Sequence, residues 1–338
     1  MRVTVVGPGA LGCLHAALLS RAGVDVCLLD YRPERARRIA ERGLIVEEAA
    51  GTRTVRLRCS ANPRELPATD LLLFCVKTFQ STAAAHHAAP LVGPQTMVLR
   101  LQNGLADPQP LAAIASSERV LLGTSGQGAN TVAWGHIRHA GSGPTRLGPL
   151  VPTGMAAAER AAEALRPALL DIEVVADVRP VRWRKLLVNV AVNPLTALTG
   201  LRNGQLLAVP LLRAAMADLT AEAERIAIAA GVDLQPGEGL ALAEAACRQT
   251  AANRSSMLQD AANHRRTEID DICGAVVRQA TDLGLRAPLN HAVTWLVSEV
   301  LHPDASNPRP SWTSHRRVAW AAWPANCSPG AGSDDHHR

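Results

Sequence analysis

The sequence predicts an α/β fold, a doubly wound parallel sheet, followed by an all-helical C-terminal domain. Three observations carry that expectation. Short apolar or β-branched runs alternate with helical stretches over the first part of the chain. The run Leu71–Val76 is apolar throughout, as in a parallel strand covered on both faces. From Arg182 to Val300 the chain is dominated by Ala, Leu, Glu and Arg at helical spacing, with almost no strand signal. A length of 338 residues suits about two domains. They are expected at 1–178 and 179–302, with a disordered tail over 303–338, where Pro, Ser, Gly and His replace the helical pattern.

Residues 2–6 are a β-branched run stopped by Gly7-Pro8-Gly9, and an apolar helical stretch then runs to about Ala22 before Gly23. Val24–Asp30 is the next strand candidate and Pro33–Arg42 a charged helix, which makes a βαβ unit at the start of the chain. Met97–Leu101 and Arg119–Gly123 are further strand candidates, and the Gly/Thr/Ser-rich residues 123–148 predict a β-rich segment with turns.

Composition excludes several classes. The net charge is only +5, and aromatics, which stack on bases in nucleic-acid binders, make up 3% of the chain. No apolar run reaches the 18 or so residues of a membrane span, and Gly7-Pro8-Gly9 interrupts the one segment that faintly mimics a signal sequence. The seven cysteines are odd in number and lack C-x-x-C spacing, so they read as small apolar residues in a reducing cytoplasm. No metal site is expected; His336-His337 reads as a solvated end. The basic residues are 33 arginines and two lysines, Lys77 and Lys185. In a chain so biased toward Arg, a retained Lys points to a task Arg cannot perform, such as giving up a proton.

Gly7, Pro8, Gly9, Ala10, Leu11 and Gly12 fit G-x-G-x-x-G directly after a strand and at the opening of a helix. That is the context of a Rossmann-type dinucleotide site: a tight turn, a close approach to pyrophosphate, and close helix packing, with the helix N-terminus facing the anion. At the end of the second strand, Asp30 fits the ribose hydroxyls of NAD while Arg32 fits the 2′-phosphate of NADP, and the local signal leaves both open.

Lys185, Asn189 and Asn193 fall at i, i+4 and i+8, on one face of an otherwise apolar helix that Pro194 should kink or stop. A solvent-facing stripe explains this spacing as well as a site does. Among apolar neighbours the Lys185 amine would have a lowered pKa, suited to a proton donor. Thr267 with Asp270 resembles a capping box that would put Glu268 in the first turn of a helix. Lys77 and Asn103-Gly104 each follow a strand, at the edge where open α/β sheets bind ligands.

Together these residues resemble the ketopantoate reductase (2-dehydropantoate 2-reductase) family. The matching pieces are the N-terminal glycine motif, Thr69-Asp70-Leu71-Leu72-Leu73 with Val76-Lys77, Gln102-Asn103-Gly104, Trp183-Arg184-Lys185-Leu186 through Asn193-Pro194-Leu195-Thr196-Ala197, Asn203-Gly204, and Ser255-Ser256-Met257-Leu258-Gln259-Asp260 with Thr267-Glu268-Ile269-Asp270. They occur in family order over about residues 1–300.

The resemblance implies NADPH-dependent reduction of ketopantoate, a small 2-keto acid, to (R)-pantoate in pantothenate biosynthesis. It implies that Lys185 protonates the carbonyl oxygen, with Glu268 working alongside it and Asn103 near nicotinamide and substrate. It places Lys77 at the cofactor side of the cleft, and assigns Asn189, Asn193, Asn203 and Ser256 to the substrate's hydroxyl and carboxylate. The family's 2′-phosphate arginine is matched here by Tyr31, between Asp30 and Arg32, which leaves NADH open beside NADPH. A related 2-keto acid or imine reductase and a non-catalytic NAD(P)-binding redox sensor are the competing readings. The helix-rich second domain is compatible with a homodimer.

Overall fold

The β-branched run Arg2–Val6 forms β1, and the chain turns at Gly7 into α1 (Ala10–Arg21). The computed structural model describes residues 1–169 and 171–301, so the tail expected at 303–338 lies outside the described residues. β2 (Asp25–Leu29) and α2 (Pro33–Arg42) complete the first βαβ unit. Pro33 pre-sets the first helical φ of α2, and Gly43 ends it at φ +78°. A hairpin of β3 (Leu44–Glu48) and β4 (Gly51–Val55) and the short β5 (Arg58–Ser60) follow. The parallel sheet continues with β6 (Leu71–Phe74), α3 (Ser81–Ala88), β7 (Met97–Arg100), α4 (Gln109–Ala112) and β8 (Val120–Ser125). The turn-rich region then forms β9 (Gly128–Ala133), β10 (His136–Gly141) and β11 (Thr145–Pro149), before α5 (Met155–Leu165) and β12 (Ile172–Val174).

The main sheet has the order β12-β11-β8-β7-β6-β1-β2-β5, parallel except where β11 runs against β8. Side chains alternate between its faces. Val3, Val5, Leu28, Leu71 and Leu73 pack under α1 and α5, while Val6, Leu29, Leu72, Phe74 and Val98 pack on the other side with Ala85 and Leu111. Covering on both faces is why these strands read as unbroken apolar runs. A second sheet, β4-β3-β10-β9, lies against α1.

From Arg179 to residue 301 no described residue is in a strand. The segment consists of α6 (Arg179–Thr199), α7 (Pro210–Ala229), α8 (Glu238–Gln249), α9 (Ser256–Ala262), α10 (Cys273–Asp282) and α11 (Pro288–Leu301). Trp183, Leu186, Leu187, Val190, Ala191 and Leu195 of α6 are buried in the core that the other helices surround. Pro194 does not stop α6, which runs on to Thr199 and ends at Gly200 with φ +76°. Burial of Leu195 and Ala197 beyond the proline holds that last turn in place.

Candidate active site

The glycine motif occupies the turn from β1 into α1. Gly7 has φ +95° and backs onto Val76, where a Cβ would collide. A Cβ on Gly12 would run into the Gly7 carbonyl, so both glycines are required by packing. Gly9 differs, because nothing lies within 4 Å of where its Cβ would be. The space above Gly9 is open, and the α1 N-terminus faces it with a helix dipole that favours an anion.

At the end of β2 the two charges have different environments. Asp30 is fully buried, and its carboxylate accepts Arg35 Nε at 2.5 Å and Nη2 at 2.6 Å. It also accepts the backbone N–H groups of Tyr31 and Arg32, at 2.7 and 3.1 Å. Every side of Asp30 is occupied by the protein. Arg32 is exposed.

α6 carries Lys185, whose Nζ donates to the Ser125 carbonyl at the end of β8, at 2.8 Å. Lys185, at the start of the helical stripe, therefore faces β8 of the main sheet. Asn193 is buried, and the Nδ2 atoms of Asn189 and Asn193 are both buried with no hydrogen-bond partner among the described residues. Burial brings the Lys185 pKa down from 10.5 to about 8, and the charge of Glu268 acts in the opposite direction. His15 of α1 is fully buried, and among the described residues neither ring nitrogen has a hydrogen-bond partner. Burial, then the charge of Lys185, lowers its pKa to about 4, so the imidazole is neutral at ordinary pH.

Glu268 is not hydrogen-bonded to Lys185. Its Oε2 lies 3.2 Å from Lys77 Nζ, and its Oε1 accepts the Thr78 N–H at 3.1 Å. Lys77 also meets Asp260 at 2.6 Å. Burial acts against its charge, but Glu268 and Asp260 outweigh it and raise the Lys77 pKa. Lys77 thus ties the end of β6 to two carboxylates of the helical segment. Cys75 N still bonds the Val6 carbonyl, so the chain keeps to β1 for one residue beyond β6 before it reaches Lys77. The helix start expected after Thr267 is a short 3₁₀ turn. Glu268 itself precedes a single 3₁₀ turn, Ile269–Asp271, and its side chain makes no cap bond because both oxygens are taken by Lys77 and Thr78.

Asn103 and Gly104 follow β7. Gly104, at φ +76°, lies so close to the Asp271 carbonyl that a Cβ there would collide, and the same carbonyl accepts Leu105 N–H at 3.2 Å. Arg100 donates to the carbonyls of Ala106 and Asp107, and Arg182 to that of Gly104. Sequence reasoning missed these two arginines, since their partners are loop carbonyls that leave no local signal. Asn203 is tied to the connection between α8 and α9: its Nδ2 donates to Thr250 Oγ1 at 2.9 Å, and its backbone N–H to Asn253. Ser256 opens α9 and is exposed. Its neighbour Ser255 is buried as the N-cap, accepting Leu258 N–H at 3.1 Å and bonding Thr196 Oγ1 at 2.6 Å. A serine before a helical run is the signal that could have found it.

Among the described residues no group of three His, Cys, Asp or Glu side chains could hold a metal, and no helix is long and apolar enough to cross a membrane. The arrangement combines an anion-accepting helix N-terminus, a half-buried amine of lowered pKa and two inward amides. It can hold a dinucleotide beside a small polar molecule and deliver a proton to it.

Comparison with known proteins covers both halves of the chain. Residues 3–152 match the family model of ketopantoate reductase PanE/ApbA, and residues 177–301 match that of its C-terminal domain. The 2-dehydropantoate 2-reductase of Halobacterium salinarum is 36% identical over 298 residues, which is 88% of this chain and 98% of that protein. The structure of a PanE/ApbA family ketopantoate reductase from Ralstonia eutropha JMP134 superposes with a TM-score of 0.79 at 31% identity, covering 89% of this chain and 98% of that one. D-mandelate dehydrogenase with NADH and anilino(oxo)acetate superposes with a TM-score of 0.84 at 26% identity, covering 88% of this chain and 97% of that one.

Proposed function

The chain belongs to the ketopantoate reductase PanE/ApbA family, and from that premise we propose that it reduces 2-dehydropantoate to pantoate with NADPH. The observation that carries the reading is Lys185, an amine whose pKa burial brings down to about 8, set between β8 and α6. The open space over Gly9 and the collisions that fix Gly7 and Gly12 fit a bound dinucleotide. When bound, the reduced nicotinamide supplies a hydride for the keto carbon.

The rest falls to the chain's own residues. Lys185 gives a proton from Nζ to the carbonyl oxygen as negative charge builds there. Asn189 and Asn193 offer their unpartnered amides to the substrate's polar groups, which holds the carbonyl in line with the donor. Asn103, on the loop backed by Asp271, is assigned to the nicotinamide and the substrate carbonyl, and Ser256 and Asn203 to the substrate's polar groups. Glu268 acts through its charge: it favours the protonated Lys185, while Lys77 holds it in position. Lys77 lies on the cofactor side of the cleft as the pivot between Asp260 and Glu268.

NADPH is favoured over NADH by the state of Asp30. A carboxylate that recognises NAD must be open to accept both ribose hydroxyls. Asp30 is closed off by Arg35 and two backbone N–H groups, whereas Arg32 is exposed beside it and suits a 2′-phosphate. The proposal includes a cytoplasmic location, which the six free cysteines of the described residues support.

A second reading has its own support: the likeness to D-mandelate dehydrogenase favours a different 2-keto acid as substrate. The test is loss of reduced-nicotinamide absorbance with ketopantoate and a panel of 2-keto acids, each with NADPH and NADH. Highest kcat/KM with ketopantoate and NADPH is expected. Highest kcat/KM with an aromatic 2-keto acid would shift the assignment to the second reading, and no turnover with any of them would remove both.

A further inference from the structure

The chain has one tyrosine and six tryptophans, and two of these scarce aromatics meet at the end of β2. Tyr31 is 54% exposed and Trp134 42%. Both flank one side chain. The Arg32 guanidinium carbon lies 5.2 Å from the Tyr31 ring centroid and 5.9 Å from that of Trp134. Arg32 Nε donates to Tyr31 Oη at 2.8 Å, and its η nitrogens have no hydrogen-bond partner among the described residues.

Trp134 comes from a different sheet, at the turn between β9 and β10, and the turn is pinned. Gly135 has φ +70°, a Cβ there would meet Ile39 Cγ1 of α2 at 2.9 Å, and its carbonyl accepts Ile45 N–H of β3 at 2.8 Å. The backbone beside Trp134 is therefore fixed against α2 and β3, which sets the indole near Arg32. Arg32 makes no ion pair among the described residues. Arg35, 5.6 Å from the Tyr31 ring, is already matched by Asp30, and Glu34 is exposed. The place is also right: Gly7 N–H donates to Leu29 O at 3.0 Å, so the end of β2 adjoins the dinucleotide turn, where the adenosine ribose lies.

We propose that Trp134 is a specificity-determining residue for the 2′-phosphorylated dinucleotide, stacking with Tyr31 on Arg32 so that the guanidinium η nitrogens are held toward the 2′-phosphate. The inference rests on the NADPH reading above and adds a residue from outside the βαβ unit. An arginine held by stacking loses less freedom when it grips a phosphate, and its planar fork fits two oxygens. A free arginine at the same place would recognise the phosphate less well.

The test is calorimetric titration of the full chain with NADP⁺ and with NAD⁺, for the parent, Trp134→Ala and Trp134→Phe. Loss of a cation–π contact at an exposed site should weaken NADP⁺ binding about two- to five-fold. NAD⁺ binding should stay unchanged, which also shows that the variant is folded, and the Phe variant should recover most of the loss. In an Arg32→Ala background, Trp134→Ala should add nothing further. Equal weakening of both dinucleotides by Trp134→Ala, or of neither, overturns the inference while leaving the NADPH reading intact. A parent that binds NAD⁺ as tightly as NADP⁺ overturns both.

Discussion

Raising the pH through about 8 should remove the proton that reduction needs. Lys185 sits between α6 and the end of β8, where burial has drawn its pKa from 10.5 to about 8. One unit below that value an amine is about 90% protonated, and one unit above it about 10%, so kcat/KM for reduction should fall about tenfold per unit on the alkaline side. The direction follows from the role: the ammonium is the active form, so activity is present below the pKa and lost above it. Steady-state assays at subsaturating keto acid, from about pH 6 to 10, read the limb directly. Lys185→Arg keeps the charge but holds its proton beyond pH ~12. That variant should be about 10²–10⁴-fold slower and should lack the limb near 8. Glu268→Gln removes the charge that favours the ammonium, and should move the limb to lower pH. A parent profile flat to about pH 10, or a limb retained in Lys185→Arg, would refute Lys185 as the proton donor.

Three further outcomes follow from the geometry. Gly9→Ala meets open space, so it should leave thermal melting unchanged and weaken dinucleotide binding, whereas Gly12→Ala meets the Gly7 carbonyl and should cost about 1–3 kcal/mol in urea unfolding. Asp30→Asn strands the Arg35 charge, so it should destabilise by about 3 kcal/mol while leaving the NADPH-to-NADH ratio of kcat/KM in place; a switch in that ratio would contradict the closed Asp30. Lys77→Met removes the cation between two buried carboxylates. The expected loss is about 2 kcal/mol by urea unfolding, below the fully buried range because 34% of the Lys77 side chain is open to water.

Where the chemistry is local, the sequence was informative. Pro33 and Gly43 mark both ends of α2 because a fixed φ starts a helix and a positive φ ends one. Lys185, Asn189 and Asn193 share a face because 3.6 residues make a turn. Partners far apart in the chain were not legible. Lys77 and Glu268 are separated by 191 residues, and no periodicity announces such a pair. Asp30 could have been read further: Arg35 lies five residues on, in the first part of α2, near enough to close over the carboxylate. The β3–β4 hairpin went unseen because β4 is mostly exposed and its Gly-Thr-Arg-Thr run carries no apolar stripe. Pro194 misled because propensity argued for a break, while the buried residues after it keep the helix going.

Both lysines of the chain stand at the same cleft, one bridging its carboxylates and the other poised below its usual pKa. The protein therefore offers few sites for amine-directed labelling. A reagent that modifies lysine has only these two side chains and the N-terminal amine to choose from. At mildly alkaline pH, Lys185 offers far more unprotonated amine than an ordinary lysine would, whereas Lys77 is held protonated by its two partners. One mass-spectrometric peptide count, with and without dinucleotide, would report occupancy of the cleft without a mutation or a chromophore.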